Sequence, residues 1–503
     1  MADIIREAPL GQLIRLVTRN KFLKYPEEQD GFQLPWSEGI DIEKSDKSGP
    51  QAKEARVDAA SSIGSNRSDN DPELGQVTLT RTTSRESTRQ WTEERQRAEE
   101  EEAMERNQSD VIVPARTADG VILVDWYTTD DPANPQNWSL GKKIYVTALI
   151  LLYTFAVYVS SSIYTTAQGQ VMEQWALNYA QGSTILSLYV LGYGLGPLLF
   201  SPLSEIPAYG RNIWYITPFA LFSILGIPTA LVNNYAGMLV LRFLTGFLGS
   251  PALATSGASL QDIYSLIKLP YAISVWAAAA FCGPALGPVL SGFATQAKGW
   301  RWAFWEIVWI AGPVFVAWFV SMPETSSGTI LLRRARRLRK LTGNDKFLSQ
   351  SEIDQGTKKF STVTYEALIV PILMTVQDPA VLFTHVYTAL IYGVYYSFFE
   401  AFPLVYIDIY HFEVGTLGVA FLCMTVACVL GLITYCSYVY WYLEPDIMKN
   451  GMRAQEHRLV PALIAVWGLP ISMFWFGWTA KEDIHWMSSI AAITLFAWAG
   501  FVL

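Results

Sequence analysis

Residues 144–204 read IYVTALILLYTFAVYVSSSIYTTAQGQVMEQWALNYAQGSTILSLYVLGYGLGPLLFSPLS and contain a single charged residue, Glu173. The hydrocarbon core of a bilayer is about 30 Å thick, and a helix needs about 20 apolar residues to cross it. Backbone polar groups in lipid have to pair within their own segment, which favours helices. The stretch therefore predicts two membrane-spanning helices, at residues 144–166 and 181–203.

The same pattern continues along the chain. Residues 212–261 contain one charged residue, Arg242, and residues 269–297 contain none. Further apolar stretches of suitable length lie at 213–232, 236–258, 269–297, 302–323, 379–407, 414–443, 459–480 and 484–503. We therefore expect an all-α, polytopic membrane protein with six spans, a basic connection and about four spans of a second bundle.

Composition divides the chain into four parts. The first 141 residues are rich in charged residues, Ser and Gln, and we expect a disordered tail that includes the charged run Glu93–Arg106. The predicted parts are a tail at 1–141, a six-helix bundle at 142–323, a central loop at 324–375 and an incomplete C-terminal bundle at 376–503. The central loop contains LLRRARRLRK at 331–340, a basic cluster suited to contact with anionic lipid headgroups.

Overall composition excludes several classes of protein. Hydrophobic residues make up 51% of the 503 and charged residues 16%, against about 25% charged residues in soluble proteins. Four Cys and four His support neither a disulfide framework nor a zinc protein, so we expect no metal and no cofactor. The chain has no G-x-S-x-G, H-E-x-x-H or P-loop motif, which disfavours an enzyme. Nucleic-acid binding is disfavoured because the basic cluster lies between spans.

The distribution of Lys and Arg between loops predicts the orientation of the spans. If the tail is cytosolic, the inside loops carry Lys142, Lys143, Arg211, Lys268, the cluster at 333–340, Lys449, Arg453 and Arg458. The outside loops then carry only Lys298, Arg301 and Lys481. This bias predicts that the N-terminus and the central loop face the cytosol.

Two ionisable residues inside predicted spans are candidates for proton coupling. Ionisable groups at membrane depth are costly and therefore raise a functional question. Arg242 has to find a carboxylate, backbone carbonyls or a water-filled cavity, in a functional or a purely structural role. Glu400, in YYSFFEAFP, lies near the far end of its span. Apolar surroundings disfavour an ionised carboxyl, so Glu400 is a candidate for proton exchange or an ordinary interfacial glutamate.

Two further stretches differ from generic spans. The fifth combines small residues, which let helices approach, with prolines, which bend them. Its residues are Gly283, Pro284, Gly287, Pro288 and Gly292, within AAFCGPALGPVLSGF. The second span ends in SPLSEIPAYGR, where Glu205 and Arg211 lie at a turn. This acid and base are candidates for a latch that holds one conformation together with the ends of adjacent helices.

These motifs resemble the major facilitator superfamily, specifically the fungal drug:proton antiporters with twelve spans. The similar segments are VDWYTTDDPANPQNWS at 124–139, SPLSEIPAYGR, Arg242 with Gly246 as R-x-x-x-G, GPALGPVLSG at 283–292, WRWAFW at 300–305, MPET at 322–325, FFEAFP and EHRL at 456–459. The resemblance implies that Arg242 takes part in proton coupling and that Gly210 belongs to the latch with Glu205 and Arg211. The latch motif departs from the family pattern, since Glu205 replaces an Asp and two extra residues precede Gly210.

The resemblance also implies an activity. We expect an efflux carrier of the plasma membrane that exports hydrophobic or amphipathic small molecules in exchange for protons, by alternating access and as a monomer in the lipid bilayer. Four aromatic residues of the seventh span are candidates for lining the cargo site, although many such residues face lipid and packing is the favoured role for any single one. They are Tyr392, Tyr395, Tyr396 and Phe399.

Two alternatives to export remain open from the sequence. One is a nutrient uptake carrier, which the fifth-span motif disfavours because the superfamily associates it with exporters. The other is a receptor or an inactive fragment, because a twelve-span family implies two more spans after residue 503. The resemblance therefore implies a C-terminally truncated chain.

Overall fold

The computed structural model describes residues 2–29, 31–36, 109, 111–116, 120–355, 360–450, 457 and 459–503. The charged run Glu93–Arg106 lies outside the described residues, as do Glu456 and Arg458 of the EHRL segment. Within the described part the protein is almost entirely helical.

Nine helices in the described residues are long and apolar enough to cross a membrane. Numbered as spans 1 to 9, they are Leu140–Thr166, Tyr179–Ser204, Asn212–Leu231, Tyr235–Ile263, Leu269–Lys298, Arg301–Ser321, Pro379–Ile409, Val414–Asn450 and Val460–Thr479. A shorter apolar helix, Trp486–Val502, occupies the place of the predicted tenth span and is called helix 10. The predicted all-α, polytopic fold is confirmed.

Several spans contain a break in the regular α-helix. Span 1 ends in a 3₁₀ turn, Ile163–Thr166, and span 4 bends where Gly249 is followed by Ser250 and Pro251. Span 7 passes into a π-helical turn, Pro403–Ile409, and span 8 contains another, Val439–Leu443. Such turns free backbone groups at membrane depth, and they are found where neighbouring elements can satisfy those groups.

Span 1 lies at the centre of the first six spans. The ring of Tyr153 lies 4.4 Å from that of Phe219 in span 3 and 4.9 Å from that of Trp318 in span 6. The Trp318 indole N–H donates to the Leu149 carbonyl at 2.8 Å, so the polar atom of this buried ring is satisfied. These aromatic contacts hold spans 1, 3 and 6 together.

Span 7 holds the second bundle together through aromatic contacts. The Phe398 ring lies 5.0 Å from Phe496 in helix 10 and 5.5 Å from Phe476 in span 9. Span 8 packs on helix 10 and, across the boundary between the two bundles, on span 5. Spans 5 and 8 therefore form a long contact between the bundles.

A folded domain covers the end of the membrane bundle at which span 1 begins and span 6 ends; this end is called the linker side, and the opposite end the far side. Strand β1, Ile122–Val124, pairs in parallel with β2, Phe347–Ser349. The linker helix, Ser327–Thr342, packs on this pair. Its apolar core consists of Trp36, Val124, Ala335, Leu338 and Phe347. The central segment therefore contains a helix and a strand, followed by helices Gln350–Gln355 and Phe360–Gln377.

The N-terminal segment, residues 2–29 and 31–36, joins this domain. It contains the helix Ala2–Glu7, the surface helix Pro9–Val17 and a 3₁₀ turn, Pro26–Glu28. Residues 120–141 add a 3₁₀ turn, Pro135–Asn137. These parts of the predicted disordered tail are folded: the first two helices pack on span 6, whereas Glu27 and Asp131 contact the linker helix.

The basic cluster of the linker helix makes ion pairs within the protein. Arg334 is 3% exposed, and its guanidinium lies 2.7 Å from an Asp131 carboxylate oxygen and 3.4 Å from one of Glu27. Arg337 also contacts Glu27, at 3.2 Å, and Arg339 pairs with Glu352 at 2.7 Å. The expected contact of this cluster with lipid headgroups is therefore replaced, for these three arginines, by contacts with carboxylates.

We expect docking of the N-terminal segment to depend on pH. Although burial alone would raise it, the guanidinium groups of Arg337 and Arg334 lower the pKa of Glu27 below its ordinary 4.5. A carboxylate whose folded-state pKa is lowered stabilises the fold above the unfolded pKa, and this stabilisation is lost as the pH falls through the folded pKa. Hydrogen exchange of residues 9–28, corrected for intrinsic rates, should show protection at neutral pH that declines as the pH falls below 4.5. Equal protection of these residues in wild type and Glu27→Gln at neutral pH would contradict this prediction.

Candidate functional site

Arg242 lies in span 4, and its side chain is 1% exposed. Its two terminal nitrogens donate to the carbonyl oxygens of Ser160, at 2.9 Å, and Ser161, at 3.1 Å, both in span 1. The guanidinium carbon also lies 4.4 Å from the centre of the Tyr189 ring. Among the residues that the structure describes, no carboxylate forms an ion pair with Arg242. Backbone dipoles and an aromatic face therefore hold this positive charge.

The partners of Arg242 leave part of the guanidinium free. Its Nε is buried and has no hydrogen-bond partner in the described part of the chain. A small cavity adjoins the guanidinium, and Thr229 and Thr245 contribute to its lining. A positive charge within a membrane span therefore keeps one donor without a partner among the described residues, which marks Arg242 as a candidate functional residue.

The residues that hold Arg242 also contact the second bundle. The Ser161 hydroxyl and the Tyr396 hydroxyl of span 7 lie 3.1 Å apart. The Tyr193 hydroxyl of span 2 donates to the same Tyr396 oxygen at 3.1 Å. Arg242 is thus one residue removed from a hydrogen bond that joins span 1 to span 7.

Glu400 lies in the far half of span 7 and contacts the first bundle. One carboxylate oxygen accepts hydrogen bonds from Ser183 at 2.6 Å and from Gln168 at 3.0 Å. The Tyr179 hydroxyl donates to the Glu400 backbone carbonyl at 2.9 Å. The second carboxylate oxygen is buried and has no partner among the described residues. Glu400 therefore joins the two bundles at the far side through hydrogen bonds alone.

A third residue, Tyr164, is near both ionisable residues. It is fully buried, interacts electrostatically with both Arg242 and Glu400, and donates to the Gly182 carbonyl at 3.1 Å. Sequence reasoning missed Tyr164 and the partners Gln168 and Ser183. Neutral polar residues next to apolar runs carry no signal of charge or spacing, so only the folded contacts identify them.

A cavity of about 440 Å³ lies between spans 1, 2, 4, 5 and 7. Its lining contains no ionisable side chain other than tyrosine phenols. The lining residues are Tyr158, Val190, Tyr193, Gly194, Leu253, Trp276, Ala277, Ala280, Phe281 and Tyr392. Ligand sites of this size are mostly apolar, with a few polar groups that fix orientation. The cavity suits an uncharged molecule with an apolar or aromatic surface.

The structure separates the four predicted aromatic residues. Tyr392 lines the cavity, whereas the other three do not. Tyr395 donates to the Phe281 carbonyl at 3.0 Å, and the fully buried Phe399 stacks on Phe421 with ring centres 5.1 Å apart. Tyr396 forms the hydrogen bonds with Ser161 and Tyr193 described above. Packing thus accounts for Tyr395 and Phe399.

The glycines of the fifth span lie where other spans approach closely. A Cβ on Gly283 or Gly287 would overlap Tyr158 or Ser162 of span 1, and one on Gly292 would lie 3.1 Å from the Val414 carbonyl of span 8. The carbonyl of Pro284, lacking its usual helical donor at Pro288, accepts the Ser162 hydroxyl at 2.6 Å. The glycine–proline pattern therefore lets span 5 contact span 1 with one face and span 8 with another.

Substitution of Gly287 by alanine should destabilise the bundle. Its Cβ would lie 3.0 Å from both the Ile163 nitrogen and the Val159 carbonyl oxygen, so the span 1 backbone would have to move. Overpacking of this kind costs about 1–3 kcal/mol. Thermal unfolding in detergent should show a lower midpoint for Gly287→Ala. Gly257→Ala, where nothing lies within 4 Å, is the control and should leave the midpoint unchanged or raise it. Equal midpoints for the two variants would contradict this packing role.

The residues of the predicted latch lie at the turn between spans 2 and 3. Arg211 pairs with Asp262 at the end of span 4, at 2.7 Å, while Glu205 is exposed. The fully buried Glu324 accepts the backbone N–H of Arg211 at 3.1 Å. Gly210 has φ 79°, which favours glycine, and a Cβ there would overlap the Glu324 carboxylate. The structure thus brings Gly210 and Arg211 together with Asp262 and Glu324, while the exposed Glu205 interacts with Arg211 only electrostatically.

Comparison with known proteins identifies relatives of the whole membrane region. A family model described as Major Facilitator Superfamily matches residues 150–503. The MFS-type transporter pyvG of Aspergillus violaceofuscus is 45% identical over 382 residues, which cover 76% of this chain and 70% of that protein. Fluconazole resistance protein 1 of Saccharomyces cerevisiae is 39% identical over 378 residues, covering 75% and 68%.

The match to another relative covers a smaller share of that relative's length. The multidrug transporter FLR2 of Candida glabrata is 40% identical over 381 residues, which cover 76% of this chain but 64% of that protein. Among solved structures, the xylose transporter XylE from E. coli has a TM-score of 0.47 at 14% identity, over 72% of this chain and 84% of that one. The sequence matches are the stronger result, and by them the chain belongs to the Major Facilitator Superfamily.

Proposed function

We propose that this protein exports uncharged, hydrophobic or amphipathic small molecules from the cytosol across the plasma membrane. The observation that carries the proposal is the cavity between spans 1, 2, 4, 5 and 7, whose lining holds aromatic and aliphatic side chains and no carboxylate or basic group. The names of relatives in multidrug transport and fluconazole resistance support the same class of cargo.

In this proposal the two bundles rock around the cavity as a monomer in the bilayer. The N-terminus and the linker helix face the cytosol, so the far side is the outer side. Opening to the outside breaks the contacts of Glu400 with Ser183 and Gln168, together with the close packing of spans 5 and 8 at Gly292. Protons enter in exchange for cargo, with Arg242 and Glu400 as the coupling residues.

The latch acts on the opposite side of the membrane. The half-buried pair Arg211–Asp262 joins the start of span 3 to the end of span 4, and Glu324, which follows span 6, holds the same turn through backbone N–H groups. These contacts stabilise the first bundle as one rigid body when the bundles move. Gly210 is needed because its backbone conformation and its contact with Glu324 exclude a side chain.

The direction of transport is tested in a yeast strain that lacks its own drug exporters. Cells that express the chain should accumulate less of a labelled uncharged aromatic compound than cells with an empty vector, and the difference should vanish when a protonophore is added. Higher accumulation than in the empty-vector cells would show uptake and overturn the proposal. Equal accumulation for every compound tested, with the protein present at the cell surface, would overturn transport itself.

Tyr392 should determine which cargoes are exported. Because its ring forms part of the cavity lining, Tyr392→Ala enlarges the cavity and should change the relative export of a small and a large aromatic compound by about tenfold. Tyr387→Ala is the matched control, since Tyr387 lies on the same span outside the lining. Accumulation assays with both compounds measure the ratio. The prediction is wrong if both variants keep the wild-type ratio at equal surface expression.

A further inference from the structure

We propose that the surface helix Pro9–Val17, with the basic residues that follow it, is an anchor that binds anionic lipid headgroups on the linker side of the membrane. This inference concerns the N-terminal segment and does not depend on the cargo or on the coupling ion. The partner is a lipid surface, and three properties of the described residues point to it.

The first property is an exposed apolar face. Leu13, Leu16 and Val17 follow helical spacing on one side of the helix, and Leu16 and Val17 are 77% and 74% exposed. The opposite side contains the buried Gly11 and Arg15, and a Cβ on Gly11 would overlap the Ile5 carbonyl. A helix with one apolar and one polar face is the form that lies in the membrane interface with its apolar side in the acyl boundary.

The second property is position. The surface helix packs on span 6, and the preceding helix Ala2–Glu7 contacts the same span. Lys142, three residues into span 1, interacts electrostatically with Asp3 and Glu7, while its ammonium group lies 3.9 Å from the centre of a Trp138 ring. Lysine and tryptophan are typical of the level at which spans meet the headgroups. The surface helix therefore lies beside the spans at the boundary of the membrane.

The third property is charge. Arg19, Lys21 and Lys24 are exposed and make no ion pair with any residue that the structure describes. The acidic residues of the segment have basic partners: Asp3 and Glu7 contact Arg6, Glu28 pairs with Arg15, and Glu27 contacts the linker helix. The charge left for an outside partner is positive. Basic residues near an anionic leaflet strengthen membrane binding, which favours lipids such as phosphatidylserine.

Anchoring of the surface helix would also hold the linker helix. Glu28 pairs with Arg15 of the surface helix at 2.6 Å, and the adjacent Glu27 contacts Arg334 and Arg337. The linker helix in turn joins the two bundles. Lipid binding by the N-terminal segment therefore fixes the connection between the bundles relative to the membrane surface.

The test places a polarity-sensitive fluorophore on the full chain in lipid vesicles. Leu16→Cys carries the probe on a background whose four natural cysteines are replaced by alanine, and Asp345→Cys, in an exposed loop of the same domain, is the control. In vesicles of phosphatidylcholine with phosphatidylserine, spin-labelled lipid should quench the Leu16 probe severalfold more than the Asp345 probe. Equal quenching of both probes by spin-labelled lipid would overturn the anchor, as would a Leu16 probe shielded from both lipid and aqueous iodide.

The charge requirement is tested separately. The triple variant Arg19→Gln, Lys21→Gln, Lys24→Gln should reduce lipid quenching of the Leu16 probe in phosphatidylserine vesicles to the level found in phosphatidylcholine alone. Thermal unfolding should be unchanged, because the three side chains make no ion pair with the described residues. Wild-type quenching that does not respond to phosphatidylserine would show that anionic headgroups are not the partner. Neither experiment measures export, so failure of the transport proposal would not affect the result.

Discussion

Replacement of Arg242 by methionine should abolish export while the protein remains folded. Methionine fills a similar volume and removes the charge, and replacing a buried charge by an apolar side chain of similar size often costs little stability. The Ser160 and Ser161 carbonyls lose a donor but keep their places in the backbone of span 1. Export in the accumulation assay should fall to the empty-vector level, with a thermal midpoint close to that of wild type.

Lysine at the same position separates charge from geometry. The two carbonyl oxygens are bound by two different nitrogens of a planar guanidinium, and a single ammonium group does not reproduce this fork. One hydrogen bond to a charged group contributes about 1.5–3 kcal/mol, which corresponds to a loss of about ten- to a hundredfold in rate if the bond is needed in the transition between conformations. Arg242→Lys should therefore retain measurable but strongly reduced export.

Arg301 offers a matched control for these variants. It also bonds an amide and a carbonyl oxygen, those of Asn233 and Val232, but at the far-side ends of spans 3 and 6. Arg301→Met should leave export near the wild-type rate. Full export in Arg242→Lys, combined with unfolding of Arg242→Met, would show that Arg242 is a structural hydrogen-bond centre and contradict a role in coupling.

The sequence predicted the features of this site that depend on a contrast in polarity. Arg242 is the single charge in residues 212–261, and Glu400 is the single carboxylate in residues 379–407, so hydropathy alone identifies both. Glycine and proline at regular spacing likewise indicated that the fifth span packs closely against neighbouring spans. Each of these signals is local. The free-energy cost of a polar group in lipid and the volume of a side chain follow from the residue itself, without knowledge of its partner.

Features that depend on long-range pairing were not visible. Arg211 and Asp262 are 51 residues apart, so the expectation that Arg211 contacts the end of an adjacent helix did not identify which residue it meets. The N-terminal segment was missed for another reason. Averaged over 141 residues, composition indicates disorder, and a nine-residue amphipathic helix such as PLGQLIRLV contributes too little to change that average.

Replacement of Glu400 by glutamine should uncouple export from the proton gradient. The amide oxygen of glutamine can still accept the hydrogen bonds of Ser183 and Gln168, so the contact between the bundles is preserved while the proton-binding group is lost. A gradient of about 2 pH units supplies about 2.7 kcal/mol per proton, enough for a cargo ratio of about a hundredfold in one-for-one exchange. In proteoliposomes with an imposed gradient, wild type should concentrate cargo, whereas Glu400→Gln should only equilibrate it.

Glu413 provides the control for this prediction, since it is also a far-side carboxylate that accepts a hydrogen bond from a glutamine across the bundle boundary, Gln296, at 2.9 Å. Glu413 differs in that its hydrogen bond is exposed to solvent. Ionisation of an exposed carboxylate costs little free energy, so protonation of Glu413 should have little effect on the equilibrium between conformations. Glu413→Gln should therefore concentrate cargo as wild type does. If Glu400→Gln still concentrates cargo to the wild-type ratio, Glu400 is not part of the coupling pathway. Its hydrogen bonds would then only join the two bundles, because the glutamine makes the same bonds but cannot bind a proton.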